Sequence, residues 1–571
     1  MLQGVIMDMP LMISSVIQHA ATFHGATEIV GREVDGAIHR YTYAAAHRRT
    51  KRLANALARL GVRPGERIGT LGWNTHRHFE LFYGVSGSGA VLHPINPRLF
   101  ADQIVYIVNH AEDAWLFIDA ATLPLAEQLA PRLKSVQGFV LMAERSAMPA
   151  RTTLGTLLCY EDVLSAESDD YVWPQLDERS ASSICYTSGT TGDPKGVVYS
   201  HRSSVLVSML FTEWVYRGGR NGAAETLMSL APLFHANGWY FPYVAPITGS
   251  KLVLPGRNYE PAMLYELFDG ERVTITCGVP TMWLMLLDWM EREGRTLSHL
   301  RVAFSAGTAA PPSLFDKFAA HGVELNQLWG MTEALGLTTP SLRPGTLDLP
   351  PEQQRAKRMN AGGRAGFGAQ LRIVDDEERP LPHDGVAVGH LRAKAPWISS
   401  GYFKGAGDAL DADGWLKTGD VASIDPDGYI AIVDRSKDLI KSGGEWISSI
   451  ALENAACGHP DVMQAAVIAA FHPKWQERPL LIVTRKTGSS LDRETLLEFL
   501  RPSVARWWLP DDVVFVPEMP MTATGKIHKL TLRERFREYQ IWGTRDGSPK
   551  PPALQARNES GPSASADGLG A

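Results

Sequence analysis

The sequence predicts an α/β protein: a large N-terminal domain of layered α/β subdomains plus a small β-barrel, followed by a small α+β C-terminal domain. Three observations carry this reading. From Leu11 to about Ser341, apolar stretches at helical spacing alternate with short apolar runs that end in Gly, Ser or Thr clusters, the pattern of a largely parallel sheet covered by helices. Between Leu371 and Val433, Asp-Gly pairs at 384, 413 and 427 cut the chain into short β-like runs. After Asp434 the texture changes to charged helices mixed with short strands. Residues 1–435 are therefore expected to form the N-terminal domain, with about 341–435 β-rich, and 436–543 the C-terminal domain.

Taken in order, Arg52 to Leu60 has helical spacing, while Arg67 to Leu71, Ala181 to Tyr186 and Arg301 to Phe304 are expected as buried strands. In sheets of this kind ligands gather at the carboxyl ends of the strands, where the loops converge. Pro344 to Pro351, rich in Pro, Gly and Leu, marks the passage into the β-rich part. Ala465 to Ala470 and Leu480 to Thr484 are expected strands of the C-terminal domain. From about 544 to 571 the chain is rich in Pro, Gly, Ser and Ala with few apolar anchors, so a disordered tail is expected. No internal repeat is evident.

Composition excludes several classes of protein. The 571 residues carry 56 basic and 62 acidic side chains, a formal charge of −6, with 44% hydrophobic and 21% charged residues. That is neither a disordered chain nor a polyelectrolyte that grips nucleic acid by bulk charge. Cys159, Cys185, Cys277 and Cys457 lie far apart without a C-x-x-C pair, so reduced thiols and a cytoplasmic location are expected. No apolar run approaches the roughly 18 to 20 residues of a membrane span, and the start MLQGVIMDMP lacks the basic region of a signal peptide. The sequence leaves open whether the chain forms a homodimer.

The most informative segment is YTSGTTGDPKG, Tyr186 to Gly196, directly after an apolar run. Its small residues let backbone N–H groups approach an anion, the hydroxyls of Thr187, Ser188, Thr190 and Thr191 add donors, and Lys195 adds a cation. This is chemistry for a polyphosphate. It is not a Walker A loop, because Lys195 follows Pro194 and precedes Gly196, which leaves no Ser or Thr in the magnesium position.

In residue order this loop resembles that of the adenylate-forming superfamily of acyl-CoA synthetases, luciferases and peptide-synthetase adenylation domains. Further segments resemble the family's motifs in the family's order: PLFHANGW (Pro232 to Trp239), SAGTAAPPS (Ser305 to Ser313), LWGMTE (Leu328 to Glu333), DGWLKTGD (Asp413 to Asp420), VDRSKDLIKSGGEW (Val433 to Trp446) and PMTATGK (Pro520 to Lys526). Taken singly, each has a plain structural reading, such as a packed His235, a core Trp329, an Asx turn at Asp420 or a solvated Lys526. Their joint order argues for the family.

The resemblance implies site residues. ATP or AMP would be held by Thr187, Ser188, Gly189, Thr190, Thr191, Gly192 and Lys195, with Gly307, Trp329, Gly330, Thr332, Asp420, Arg435 and Lys526. Lys526, Glu333, Thr190 and His235 would be catalytic, and Glu333 and Thr190 would meet magnesium. The acid would lie against His235, Gly238, Trp239, Gly278, Pro280, Ala306, Gly307 and Thr308, in an apolar slot bounded by Trp239 and Trp283. Lys526 is expected to remain a cation and to act as an electrostatic clamp, because adjacent phosphates favour a lysine's ordinary charge. The C-terminal domain would be mobile, pivoting at Lys437, and Ser442, Gly443 and Gly444 would then face CoA.

The implied reaction joins a carboxylate to AMP with release of pyrophosphate, then passes the acyl group to CoA. ATP, Mg2+ and CoA are the implied cofactors and co-substrates. HPINPRLF (His93 to Phe100), SGGEWISS (Ser442 to Ser449) and HPKWQERP (His472 to Pro479) most resemble medium-chain fatty acyl-CoA ligases and 3-methylthiopropionate ligases, so a short- to medium-chain apolar acid is expected. Departures from the family pattern are Ala306-Gly307-Thr308 at the turn near the pocket, Ala451 for a common Glu, and Ala365 and Gln370 for a common Pro and Glu. Alternative readings are an adenylating enzyme that loads a separate carrier protein and, from another class, a non-catalytic acyl or nucleotide sensor.

Overall fold

A computed structural model describes residues 4–539 apart from 188–192, 219–224, 341, 361, 406–408, 444 and 522–525. The expected tail at 544–571 thus lies outside the described residues.

A seven-stranded sheet and a hairpin are built first. The hairpin joins β1 (Glu28–Arg32) and β2 (Ile38–Thr42). The sheet contains β3 (Arg67–Leu71), β4 (Val91–Pro94), β5 (Asp113–Ile118), β6 (Gly138–Leu141), β7 (Leu157–Cys159), β8 (Ala181–Tyr186) and β9 (Gly196–Ser200). Its order is β7-β6-β5-β3-β4-β8-β9, and only β9 runs antiparallel, returning along β8 after the phosphate-type loop. Strands β10 (Thr226–Ser229), β11 (Lys251–Leu254), β12 (Ile275–Gly278), β13 (Val302–Ser305) and β14 (Glu324–Gln327) join the hairpin in a second seven-stranded sheet, order β14-β13-β12-β10-β11-β1-β2. The strand expected from Arg301 begins at Val302, because the Arg301 guanidinium stays at the rim and pairs with Glu225.

Helical spacing around Arg52 belongs to the longer helix Tyr43–Arg59, whose N-terminus is capped by the Thr42 hydroxyl accepting from the Ala45 N–H at 3.4 Å. Its buried face carries Ala46, Thr50, Leu53 and Leu57. Every residue of the helix His76–Gly87 is buried, since it touches strands of both large sheets. Gly84 is required there, because a β-carbon would fall 2.4 Å from Leu53 Cδ2.

The expected β-rich part begins with β15 (Thr338–Thr339), then the helices Pro344–Leu347 and Pro351–Asn360, then β16 (Arg364–Ala365), which pairs with β15. Strands β17 (Gln370–Val374), β18 (Gly389–Lys394), β19 (Leu416–Ile424) and β20 (Ile430–Arg435) follow as an antiparallel meander in sequence order. Among the described residues its end strands do not pair with each other, so it is an open sheet. Ile373, Leu391, Ala422, Ile424 and Ile430 form its core. The turn before β20 holds Gly428 at φ +85°, a conformation that favours glycine.

A smaller C-terminal domain follows the large one. Its sheet contains β21 (Ile440–Ser442), β22 (Glu445–Ile447), β23 (Val462–His472), β24 (Gln476–Arg485) and β25 (Asp512–Phe515). Alternation along β23 and β24 sends Ala465, Val467, Leu481 and Val483 to one face, against the helices Ser449–Cys457 and Arg493–Leu500. Ile468, Leu480 and Ile482 face the other way, toward Leu532.

Candidate functional site

The candidate site lies where carboxyl ends of strands from several sheets converge. At the end of β8, the Thr187 N–H donates to the Lys195 carbonyl at 2.9 Å, and the Lys195 N–H donates to Thr187 Oγ1 at 3.2 Å. These bonds close the base of the phosphate-type loop. Ser188, Gly189, Thr190, Thr191 and Gly192 lie outside the described residues, so the expected Thr190 metal contact does too. Gly196 is fixed by crowding: a β-carbon would meet Ile184 Cδ1 at 2.9 Å and Phe403 Cβ at 3.1 Å. The Lys195 ammonium stands 4.8 Å from the Tyr402 ring centre, and the Tyr402 hydroxyl donates to Glu333 Oε1 at 2.7 Å. The loop cation and the expected magnesium ligand are thus linked through one tyrosine.

On the nucleotide side, the segment after β14 carries Trp329, Gly330, Thr332 and Glu333. The Trp329 N–H donates to Thr338 Oγ1 at 3.0 Å, and the Thr332 carbonyl accepts the Tyr199 hydroxyl at 2.6 Å. A β-carbon on Gly330 would be in ordinary contact with the Ala334 carbonyl, at 3.4 Å. Trp329 Nε1–H donates to Asp420 Oδ2 at 2.9 Å, while Arg435 Nε meets Asp420 Oδ1 at 2.7 Å. Asp420, on β19, pairs in register with Arg435 on β20, which explains their meeting. Burial pushes the Asp420 carboxyl up, and Arg435, Trp329 and Lys526 act against that shift.

The acid side is formed by the loop after β10 and by the ends of β12 and β13. Burial, with the nearby Lys526 charge, lowers His235 to about 4, so its imidazole is neutral at pH 7. Ala236, Asn237, Gly238, Trp239 and Tyr240 all have positive φ, at 46°, 56°, 61°, 52° and 61°. This is a left-handed turn, which costs a non-glycine residue about 1 kcal/mol or more. Gly278 and Pro280 are buried, Trp239 and Ala306 half-buried, and Gly307 and Thr308 exposed. The Ala306 N–H donates to the Gly278 carbonyl at 3.3 Å, which holds the two strand ends together.

Trp283 is not a wall of the slot. It is fully buried against Phe268 and Phe318, and a β-carbon on Gly278 would fall 2.8 Å from its Cζ2. The indole packs behind Gly278 because its position on the helix Pro280–Glu293 faces the layer between that helix and Phe318.

Lys526, from the C-terminal domain, reaches across to the turn after β13. A β-carbon on Gly307, whose φ is +90°, would lie 3.4 Å from Lys526 Cε and 3.6 Å from Nζ. The sequence suggests an ordinary lysine charge; in the structure, burial with the Arg435 charge lowers Lys526 to about 8, against a smaller raising effect of Asp420. Within the departure Ala306-Gly307-Thr308, glycine thus stands where the backbone takes φ +90°, a conformation that favours glycine.

Three residues after Lys526, Lys529 donates to Ser449 Oγ at 2.7 Å and pairs with Glu453 at 2.7 Å. Asp434 Oδ2 accepts the Ser449 N–H at 2.6 Å, so β20 and the helix Ser449–Cys457 are joined on either side of Lys437, which is exposed. Ala451, where relatives were expected to carry Glu, donates its N–H to the capping Ser448 hydroxyl at 3.1 Å. Ser442 is buried with Arg478 Nη1 at 3.3 Å, and Gly443 packs under Trp475, 2.9 Å from a would-be β-carbon. Gly444 lies outside the described residues.

Sequence reasoning missed Tyr199, Tyr402, Asn237 and Lys529. The neighbours of the two tyrosines and the asparagine in the chain carry no signal of their bonds, since Thr332, Glu333 and Ser183 are distant in sequence. Lys529 opens the helix Lys529–Arg535, so no helical face links it to Lys526, and its partners Glu453 and Ser449 are distant in the chain.

The segment 17–403 matches the family model for AMP-binding enzymes, and 451–526 matches that for the AMP-binding enzyme C-terminal domain. The chain is 45% identical over 537 residues to the 3-methylmercaptopropionyl-CoA ligase of Ruegeria lacuscaerulensis, covering 94% of this chain and 99% of that protein. It is 43% identical to the medium-chain-fatty-acid–CoA ligase of Ectopseudomonas oleovorans, covering 93% and 97%. Among solved structures, an anthranilate CoA ligase in complex with anthranoyl-AMP superposes with a TM-score of 0.79 at 24% identity, covering 92% of this chain and 98% of that one, a likeness of fold.

Proposed function

The chain belongs to the AMP-binding enzyme family, and from that premise we propose that it is an ATP-dependent acid:CoA ligase acting on a short- to medium-chain apolar acid, a fatty acid or 3-methylthiopropionate. The observation that carries the reading is the meeting of Lys526 with Gly307 beside Asp420 and Arg435, which brings a lysine of the small domain into the nucleotide cleft. The acid class is supported by two relatives at 45% and 43% identity and by a neutral His235 on the same loop as the apolar Trp239.

In the first step a carboxylate oxygen of the acid attacks the α-phosphorus of ATP, forming acyl-AMP as pyrophosphate leaves. Negative charge builds on the phosphoryl oxygens, and fixed cations and donors lower that barrier. Lys526 and Lys195 are the cations assigned here, with Thr187, Ser188, Gly189, Thr190, Thr191 and Gly192 supplying donors around the pyrophosphate. Trp329 and Gly330 take the adenine, Asp420 and Arg435 the ribose, and Thr332 the α-phosphate. Polyphosphate beside Lys526 raises its lowered pKa, so the loaded site holds an ammonium ion.

Magnesium in such enzymes arrives with the nucleotide and neutralises charge on its phosphates. The buried Glu333 carboxylate, oriented by the Tyr402 hydroxyl, would hold such an ion by one oxygen ligand, a donor that suits magnesium bound together with a nucleotide. In the second step the CoA thiolate attacks the acyl carbon and AMP leaves. We assign the pivot that opens the way for it to Lys437, at the start of a lid from 436 to 543 that follows an N-terminal unit to about 435, and the facing loop to Ser442, Gly443 and Gly444. His235, Gly238, Trp239, Gly278, Pro280, Ala306, Gly307 and Thr308 line the acid slot. The need for ATP and CoA, with four free cysteines, supports a cytoplasmic location.

The test is pyrophosphate release from ATP and magnesium across acids from acetate to palmitate, with 3-methylthiopropionate, benzoate and amino acids, with and without CoA. A steady CoA-dependent rate on C4 to C10 or thioether acids is expected. Release that stalls after one turnover with CoA present assigns the acyl group to a carrier protein instead. No release with any acid returns the chain to a sensor role.

A further inference from the structure

The loop that carries His235 and Trp239 is held in a conformation that its residues do not favour. Five consecutive residues, Ala236 to Tyr240, have positive φ, and only Gly238 among them is glycine. A left-handed turn of this kind persists only where its surroundings over-determine it. What holds it is visible. Asn237 is fully buried, donates Nδ2–H to Ser183 Oγ at 3.0 Å, and accepts from the Cys185 thiol at 3.4 Å through Oδ1. Ser183 and Cys185 are two apart on β8, so they present one face of the strand to the turn. Asparagine is also the residue best suited to this backbone apart from glycine.

Two further bonds anchor the loop, one at the centre of the turn and one ahead of it. Ser229 Oγ on β10 donates to the Gly238 carbonyl at 3.3 Å, and the Leu233 N–H donates to Asn74 Oδ1 at 2.8 Å. The turn therefore bridges β8, which runs straight into the phosphate-type loop at Thr187, and the strands that floor the acid side.

We propose that Asn237 is the positioning residue for acid selectivity: by pinning the left-handed turn Ala236–Tyr240 onto β8, it sets how far His235 and Trp239 stand from the reacting phosphate, and so the length of acid admitted. The inference rests on the acid:CoA ligase reading and adds the residue that tunes it. Asn237 itself need not touch the acid. Released from β8, the turn relaxes toward right-handed backbone, Trp239 swings with it, and the slot loses its fixed depth.

The experiment measures acid-dependent ATP–pyrophosphate exchange with butyrate, hexanoate, octanoate and decanoate for the wild type, Asn237→Gly, Asn237→Ala and Ser183→Ala, alongside thermal unfolding. Asn237→Gly keeps the backbone conformation accessible and deletes the carboxamide, while Ser183→Ala removes its partner from the other side and leaves Asn237 in place. The expected result is a tenfold or greater rise in acid KM for Asn237→Gly, at least a fivefold change in the ratio of kcat/KM between octanoate and butyrate, and an ATP KM within threefold of wild type. Asn237→Ala is expected to be worse than Asn237→Gly, because alanine disfavours positive φ, and Ser183→Ala to shift the ratio in the same direction by a smaller factor. A folded Asn237→Gly with the wild-type length ratio overturns the inference, as does an equal rise in acid and ATP KM, the mark of a general structural role. If Asn237→Gly does not fold, an unchanged ratio in Ser183→Ala overturns it. Exchange by the wild type with unchanged variants refutes the positioning role alone, whereas no exchange by the wild type on any acid refutes the ligase reading and the role with it.

Discussion

Lys526 stands between burial with the Arg435 charge, which favour its neutral form, and Asp420, which favours the ammonium. The balance lowers its pKa to about 8 in the absence of nucleotide. In the proposed mechanism the cation is the form that stabilises the developing phosphate charge, so kcat/KM for adenylation is expected to fall as pH rises through about 8. Lys526→Arg, which stays charged, is expected to flatten that alkaline limb even where it lowers the plateau. Rate profiles from pH 6 to 10 check this, and an alkaline limb unchanged in the Arg variant assigns it to another group. Lys526→Ala is expected to slow adenylation by about 100-fold or more and thioesterification of supplied acyl-adenylate by far less, on the scale of a lost oxyanion-type donor. Trp329 has a second role at this scale. Its Nε1–H bond to Asp420 orients the carboxylate, so Trp329→Phe, which keeps the ring, is expected to raise the ATP KM about tenfold, the cost of one hydrogen bond to a charged acceptor.

At the scale of elements, two short connections hold the reacting groups. The base of the phosphate-type loop is a paired contact between Thr187 and Lys195, and Gly196 lets β9 pass close to Ile184 and Phe403. Gly196→Ala overpacks this spot and is expected to cost about 1–3 kcal/mol in denaturant unfolding, with weaker ATP binding. The second connection is Lys529 with Glu453 and Ser449, which ties the segment bearing Lys526 to the helix Ser449–Cys457. Lys529→Met strands the Glu453 carboxylate in a largely buried position and is expected to destabilise the small domain by about 3 kcal/mol. Lys529→Met with Glu453→Gln is expected to recover most of that loss, because the penalty comes from the unpaired charge. Thermal unfolding of both variants separates pair from packing; equal losses place the effect in packing.

At the scale of the whole molecule, the domains meet with Lys526 inside the large domain's cleft, the arrangement suited to adenylation. In the proposed second step CoA needs access to the acyl carbon, and the proposal assigns that access to a movement of the small domain about Lys437. Lys437→Pro restricts φ at that point. It is expected to hold pyrophosphate exchange within tenfold of wild type while cutting acyl-CoA formation by 100-fold or more. Assay of the two half-reactions decides it, and equal losses in both remove Lys437 from the pivot role.

The sequence by itself determined the layered α/β class, the strands at Ala181–Tyr186 and near Ala465 and Leu480, and the order of motifs, because each rests on local periodicity or on adjacent residues. It also singled out residues that the fold brings together around Lys526, including His235, Gly307, Asp420 and Arg435. Only the tertiary structure decided that Trp283 belongs to the core behind Gly278, that Trp329 and Asp420 are bonded, that Tyr402 joins Lys195 to Glu333, and that Asn237 ties a left-handed turn to β8. Each depends on residues far apart in sequence, as Trp283 does on Phe318, or on a charge shifted by burial, as at Lys526. Such effects depend on which surfaces exclude water from one another, and that is fixed when the elements pack together.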